Sequence, residues 1–120
     1  MIERRMYPHF RKQYTVIFAL RDEPHKTYDM SQLLDISRGG LKFFSYVHYP
    51  VGVRIVFHIR FPFLYPEVTT IEGEVVGTEA VLQGMTYKIR IKFINLTPAV
   101  METLLQMEKV NLKSLANEKK

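Results

Sequence analysis

The sequence predicts an all-β protein, a six-stranded antiparallel barrel with one C-terminal α-helix. Three observations indicate this fold class. Apolar residues alternate strictly in several segments, turn signals recur about every ten residues, and a helix start follows the last strand. A chain of 120 residues is long enough for one such domain with a single core.

The first three strands are predicted from alternation and from the turns between them. In the first strand, the residues that share one face are Tyr14, Val16, Phe18 and Leu20. The second strand is predicted over residues 27–36, and the turn at residues 37–40 leads into a third strand over residues 41–46. A Pro-Val-Gly turn at residues 50–52 precedes the next strand.

The fourth and sixth strands have the clearest period of two. In the fourth strand the inward residues are Val53, Ile55, Phe57, Ile59 and Phe61, and the outward ones are Arg54, His58 and Arg60. In the sixth strand the inward residues are Tyr87, Ile89, Ile91 and Phe93, and the outward ones are Lys88, Arg90 and Lys92. The fifth strand is predicted over residues 69–78, after a loop whose two prolines do not fit a central strand.

The helix is predicted from its start and from its apolar stripe. Thr97 is a suitable N-cap, and Pro98 suits the first helical position. The stripe comprises Met101, Leu104, Leu105, Leu112 and Leu115, and Glu108 interrupts it. The expected organisation is therefore a flexible N-terminal arginine arm at residues 1–13, a barrel at residues 14–96 and a helix at residues 97–116, all in one domain.

Composition narrows the class of partner and the compartment. The net charge of +5 favours anionic partners, but it does not distinguish a dinucleotide from nucleic acid. The absence of cysteine excludes disulfides and thiolate metal sites. Neither a signal peptide nor an apolar run of roughly 20 residues is visible, so we expect a cytoplasmic protein without a membrane span.

The most informative motif lies at the predicted turn between the second and third strands. Asp35, Ser37 and Gly40 place a carboxylate, a hydroxyl and accessible backbone together. A carboxylate can accept from the N–H edge of guanine, and arginine forks from the upstream pair Arg4 and Arg5 can meet O6, N7 or phosphate. On local sequence alone a simple turn is favoured, because Asp and Ser bond nearby backbone and glycine supplies a positive φ. The upstream arginines favour a nucleotide site, which the same turn can build.

This pattern resembles the PilZ domain, a bacterial receptor module for cyclic di-GMP, whose motif is RxxxR followed by D/NxSxxG. Asp35, Ser37 and Gly40 match the second half, and Arg5 matches the first arginine, whereas His9 stands where the second arginine belongs. The resemblance covers the arm, the barrel and the helix. The ligand-binding residues that it implies, together with their neighbours, are Arg4, Arg5, His9, Arg11, Asp35, Ser37, Arg38, Gly39 and Gly40.

The resemblance also assigns roles to the arm. Arg5 is expected to clamp guanine and phosphate, with Arg4 as a second phosphate contact. His9 can stack on guanine or donate one hydrogen bond, but it lacks the planar fork of arginine. Arg11, two residues further on, can compensate for that loss if the arm is flexible.

Other chemistries have little support. The four histidines have no metal-ligand spacing, and the chain has no nucleophile elbow, zinc-protease motif or P-loop, so we expect neither a metal nor catalysis. The cations Lys88, Arg90 and Lys92 are interpreted as a solvated outer face, since the aromatic residues that would stack on single-stranded nucleic acid lie on the opposite face.

The sequence therefore predicts a non-catalytic cyclic di-GMP receptor. Its arm would become ordered over the turn when the nucleotide binds, and the chain would signal to an unidentified output protein. The alternative is a degenerate PilZ adaptor that does not bind the nucleotide and acts by protein–protein interaction in pilus or motility machinery, which His9 favours. A basic barrel that binds nucleic acid is the third hypothesis.

Overall fold

The fold consists of one antiparallel sheet and one helix in the part of the chain that the structure describes. The computed structural model describes residues 14–30, 33–62, 64–82 and 84–118, with side chains described as far as residue 110. The elements are β1 (Thr15–Leu20), β2 (Tyr28–Met30), β3 (Leu33–Ile36), β4 (Gly40–Ser45), β5 (Arg54–Arg60), β6 (Val68–Val81), β7 (Thr86–Ile94) and α1 (Pro98–Glu118).

The sheet has the strand order β2-β1-β5-β6-β7-β4-β3, and each neighbouring pair is antiparallel. Its two edge strands, β2 and β3, are consecutive in the chain and only two residues separate them. A link of two residues spans about 11 Å at most, so the two edges lie close together and the sheet must curl. The result is an open barrel that presents one face inward and the other to solvent.

The core fills the inner face of this curl. Ile55, Phe57 and Ile59 on β5 are each 0% exposed, which confirms the period of two predicted for this strand. Phe18 of β1 reaches across the core, with its ring centroid 5.5 Å from that of Phe43 and 6.1 Å from that of Phe57. Aromatic and β-branched side chains therefore join the strands into one apolar cluster.

The predicted fold class is confirmed, but the predicted count of six strands is wrong. The segment expected to form a single second strand contains both β2 and β3. Met30 pairs with Val16 on one edge of the sheet, whereas Leu33 pairs with Phe43 on the other. A single straight strand cannot pair with both edges, so this segment crosses from one edge to the other.

The helix start is confirmed by its hydrogen bonds. The Val100 N–H donates to Thr97 Oγ1 at 3.2 Å, and the Met101 N–H donates to the Thr97 carbonyl at 2.9 Å. The predicted apolar stripe is wrong at Met101, which is 40% exposed. The stripe is confirmed at Leu104, which is 0% exposed, and the buried side also includes Met107, which is 1% exposed and was not predicted.

A polar residue also lies on the buried side of the helix. Thr103 is buried on the same side, and its hydroxyl donates to the Ala99 carbonyl at 3.1 Å. Because that bond satisfies the hydroxyl within the helix, threonine can face the core at little cost. The buried face therefore includes a residue that a count of apolar side chains leaves out.

Candidate ligand-binding site

The candidate site is built on the hairpin that joins β3 to β4. The Ser37 N–H donates to the Gly40 carbonyl at 2.9 Å and closes the hairpin. The Gly39 N–H donates to Ser37 Oγ at 3.2 Å, so the serine hydroxyl is fixed within the turn. The predicted turn at residues 37–40 is thus present, with the serine oxygen held by local backbone.

Gly40 is required by close packing, not by its backbone conformation. The described glycines with positive φ are Gly52 and Gly84, so the expectation that glycine supplies a positive φ in this motif is wrong. A Cβ at residue 40 would instead lie 1.8 Å from the carbonyl oxygen of Ile91 on β7. A Cβ at Gly39 would meet only Ser37 Oγ, at 3.9 Å. Gly40 therefore lets β4 approach β7, and this approach sets the geometry of the site.

A row of polar side chains crosses three strands beside this turn. Asp35 on β3 pairs with Lys42 on β4, and Lys42 pairs with Arg90 on β7. The Asp35 carboxylate lies 3.7 Å from Lys42 Nζ. Two cations are therefore cross-strand neighbours with one nearby carboxylate, and like charges in such positions destabilise a sheet. An excess of positive charge at this position is what an anionic ligand would neutralise.

Arg90 ends this row against the backbone of β6. Its register partner is Gly77, and a Cβ built on Gly77 would lie 2.2 Å from Arg90 Nη2. The guanidinium thus lies directly against the glycine. Among the described residues Arg90 forms no ion pair, which leaves its donors available for a ligand.

These groups surround a shallow depression of about 220 Å³. It is lined by Asp35, Ser37, Gly40, Leu41, Lys42, Val76, Arg90 and Ile91. Val76 lies at a bulge of β6, where the register shifts between Val75 and Gly77, and it is 41% exposed. Pockets that enclose a whole small ligand are typically about 300–1,000 Å³. This depression has room for one base or one phosphate of a larger ligand, whose other side would need further cover.

The site residues predicted from the motif therefore do not all lie in the depression. Asp35, Ser37 and Gly40 lie together in the depression, whereas the Gly39 carbonyl faces β7 and accepts from the Phe93 N–H at 2.9 Å. Arg38 turns to the helix, where its Nε lies 3.0 Å from Glu108 Oε1. The four predicted residues of the arm, Arg4, Arg5, His9 and Arg11, lie outside the described residues.

Sequence reasoning missed Lys42 and Arg90 as members of the site. The period of two in β4 places Lys42 on the same face as Gly40, which was a usable signal. Arg90 was recognised only as an outward cation of β7. Its position opposite Lys42 depends on the register between β4 and β7, which no local pattern reveals.

Three other outward cations of these strands have acidic partners, whereas Lys92 forms no ion pair among the described residues. The pairs are Arg54 Nε with Glu74 Oε1 at 3.8 Å, Lys88 Nζ with Glu79 Oε1 at 3.7 Å, and Arg60 with Glu67. Much of the positive charge on this face is therefore neutralised locally. This agrees with the interpretation of the paired residues as a solvated face. Arg90 differs from them because it lacks such a partner and lines the depression.

Among the described residues, no group of three or more His, Cys, Asp or Glu side chains is placed to hold a metal ion. In this part of the chain, no helix is both long and apolar enough to span a membrane.

The fold is a small β-domain with a candidate ligand-binding site at the turn that carries Asp35, Ser37 and Gly40, which we call the recognition turn. The family model of the PilZ domain matches residues 3–108, which is most of the chain. The protein belongs to the PilZ domain family. No curated protein matches the sequence.

Solved structures show the same fold. The Bacillus subtilis inhibitor of motility MotI/DgrA is similar with a TM-score of 0.65 and 16% identity, over 89% of this chain and 49% of that one. YcgR from Escherichia coli in complex with cyclic di-GMP has a TM-score of 0.64 and 21% identity, over 88% and 43%. The PilZ domain of Escherichia coli YcgR with cyclic di-GMP has a TM-score of 0.57 and 18% identity, over 90% and 88%. The chain thus spans about half the length of the first two proteins.

Proposed function

We propose that this protein is a non-catalytic receptor for cyclic di-GMP that acts in the bacterial cytoplasm. Membership of the PilZ family supports the proposal, as do two structural neighbours that hold this nucleotide. The observation that carries it is the row of Asp35, Lys42 and Arg90 beside Ser37 and Gly40, around one depression. That row combines a carboxylate with two cations, and guanine and phosphate require both kinds of group.

Each side chain has a chemical role in this proposal. Asp35 accepts hydrogen bonds from the N1–H and N2–H edge of guanine, and the planar fork of Arg90 meets O6 and N7 or a phosphate. Lys42 supplies a point charge to a phosphate. Ser37 Oγ already accepts from the Gly39 N–H, so its own proton is available to a ligand oxygen.

The shallow depression also bears on how the signal is transmitted. A cyclic dinucleotide lying in it exposes its opposite side, and Arg4 and Arg5 of the N-terminal segment are the groups we assign to that side. Binding would then order the N-terminal arm over the ligand and change the surface that an output protein meets. In this scheme the domain signals without any reaction.

Calorimetric titration tests the proposal. Cyclic di-GMP should bind, whereas GTP and a short single-stranded oligonucleotide should give far weaker heats. Arg90→Ala should weaken binding about tenfold to a hundredfold, since a hydrogen bond to a charged group is worth about 1.5–3 kcal/mol. Arg54→Ala is the matched control, because it removes an outward arginine that has its own partner, Glu74.

Three results would contradict the proposal. No heat with cyclic di-GMP at high micromolar concentration would favour the adaptor alternative. Salt-sensitive binding of the oligonucleotide alone would favour a nucleic-acid surface. Equal losses for Arg90→Ala and Arg54→Ala would mean that net charge, not the site, determines binding.

A further inference from the structure

Glu108 of α1 joins the helix to the recognition turn over a separation of 70 residues. Its Oε1 lies 3.0 Å from Arg38 Nε, and its Oε2 accepts from the Arg38 backbone N–H at 3.3 Å. Glu108 was expected only to interrupt an apolar stripe. The structure shows that both of its carboxylate oxygens contact the turn at Arg38.

The position of Glu108 is set by its neighbours. Leu104 and Met107 are buried in the core, so this part of the helix is held against the barrel. The Glu108 side chain is 32% exposed, whereas that of Arg38 is 53% exposed. A carboxylate on a packed helix therefore meets an arginine whose side chain is about half exposed. Because the helix is already held in place, the pair requires little further ordering of Glu108.

The contact has the chemistry of an anion site. A guanidinium and an adjacent backbone N–H converge on one carboxylate, and a phosphate would accept from the same two donors. Arg38 does not itself line the depression, but it lies in the turn between Ser37 and Gly40, which both do. A dianionic ligand in that depression would carry a phosphate toward the same donors.

We propose that Glu108 is an internal competitor that occupies, on the recognition turn, the donors of Arg38 that a ligand phosphate takes. This inference rests on the proposed function. Ligand binding then transfers Arg38 from Glu108 to the phosphate and removes a link between the turn and α1. The amides of the helix beyond residue 108 then become less protected from hydrogen exchange. Ligand binding at the turn is in this way transmitted through α1 to a second surface of the domain.

The test compares Glu108→Gln with the wild-type protein in titrations with cyclic di-GMP. The glutamine keeps the shape of the side chain and loses the charge that competes with phosphate. Because exposed ion pairs are weak, we expect binding to tighten by about twofold to fivefold. Glu102→Gln is the matched control on the same helix, where Glu102 bonds Gln106 four residues later, and it should leave the affinity unchanged.

Hydrogen exchange on the wild-type protein supplies a second readout. Cyclic di-GMP should lower the protection of amides in residues 108–118 while it raises protection at residues 35–42. If wild type binds and Glu108→Gln binds equally or more weakly, or if helix protection does not fall, the competitor role is overturned and the receptor function stands. If neither form binds, the receptor function and this inference are both overturned.

Discussion

Gly40→Ala should both destabilise the fold and abolish ligand binding. The new Cβ would lie 1.8 Å from the Ile91 carbonyl oxygen, whereas real Cβ contacts are at least 3.0 Å, so β4 and β7 must separate locally by about 1.2 Å. The obstacle is backbone, which cannot rotate away as a side chain can. Overpacking of this kind costs about 1–3 kcal/mol, and we expect about 2–3 kcal/mol here. For a domain of this size, that lowers Tm by about 10 °C.

The measurement is thermal unfolding followed by circular dichroism, with a parallel titration of cyclic di-GMP. Gly39→Ala is the control, since its Cβ would be 3.9 Å from Ser37 Oγ and its effect on stability should stay within about 0.5 kcal/mol. Binding should fail in Gly40→Ala, because separation of β4 from β7 moves Lys42 away from Arg90. Equal Tm values for the two alanine variants would refute the argument that close strand approach requires Gly40.

Three further predictions concern other residues. Asp35→Ala should weaken cyclic di-GMP binding about tenfold to a hundredfold. Its Tm should change little, because the ion pair of Asp35 with Lys42 is half-exposed and weak. A lower Tm with unchanged affinity would instead mean that Asp35 only stabilises the turn. Burial, with a smaller contribution from Tyr28, raises the pKa of Tyr49 above 10.0. As pH rises above 10.0, the phenol of Tyr49 loses its proton in the unfolded state before it does so in the folded state. The stability that neutral Tyr49 contributes is therefore complete below pH 10.0 and is lost as pH rises through the folded-state pKa. Denaturant unfolding should show this decline in the wild type and a smaller one in Tyr49→Phe, and identical slopes would contradict it. His9→Arg should tighten binding about tenfold in calorimetry by restoring a guanine fork, and no change would remove His9 from the site.

Local patterns in the sequence predict much of this fold because they report burial directly. The alternation from Val53 to Phe61 identifies β5 and its inner face, since side chains in a strand point to opposite faces in turn. Thr97 followed by Pro98 marks the helix start for a comparably local reason. These patterns do not show which strands pair. The segment from Thr27 to Ile36 was therefore predicted as one strand, although it contributes to both edges of the sheet.

The residues of the candidate site are likewise of two kinds, those that local sequence reveals and those that only the fold brings together. Asp35, Ser37 and Gly40 are adjacent in sequence, so a motif can reveal them together. Arg90 joins them only through the register of β4 and β7, and Glu108 reaches the turn only because the helix packs on the barrel. Both are charged residues on elements whose polar faces are ordinarily solvated, so local sequence offers no reason to select them.

The most direct measurement is amide NMR mapping of the protein during titration with cyclic di-GMP. Binding at the proposed site predicts the largest shifts at residues 35–42, 76–77 and 88–92, because these surround the depression beside the recognition turn. Small shifts are expected near a second depression, which is lined by residues that include Phe18, Tyr28 and Tyr46 and lies toward the opposite end of β4. Shifts confined to that second depression, or no shifts at saturating nucleotide, would contradict a cyclic di-GMP site at the Asp35–Gly40 turn.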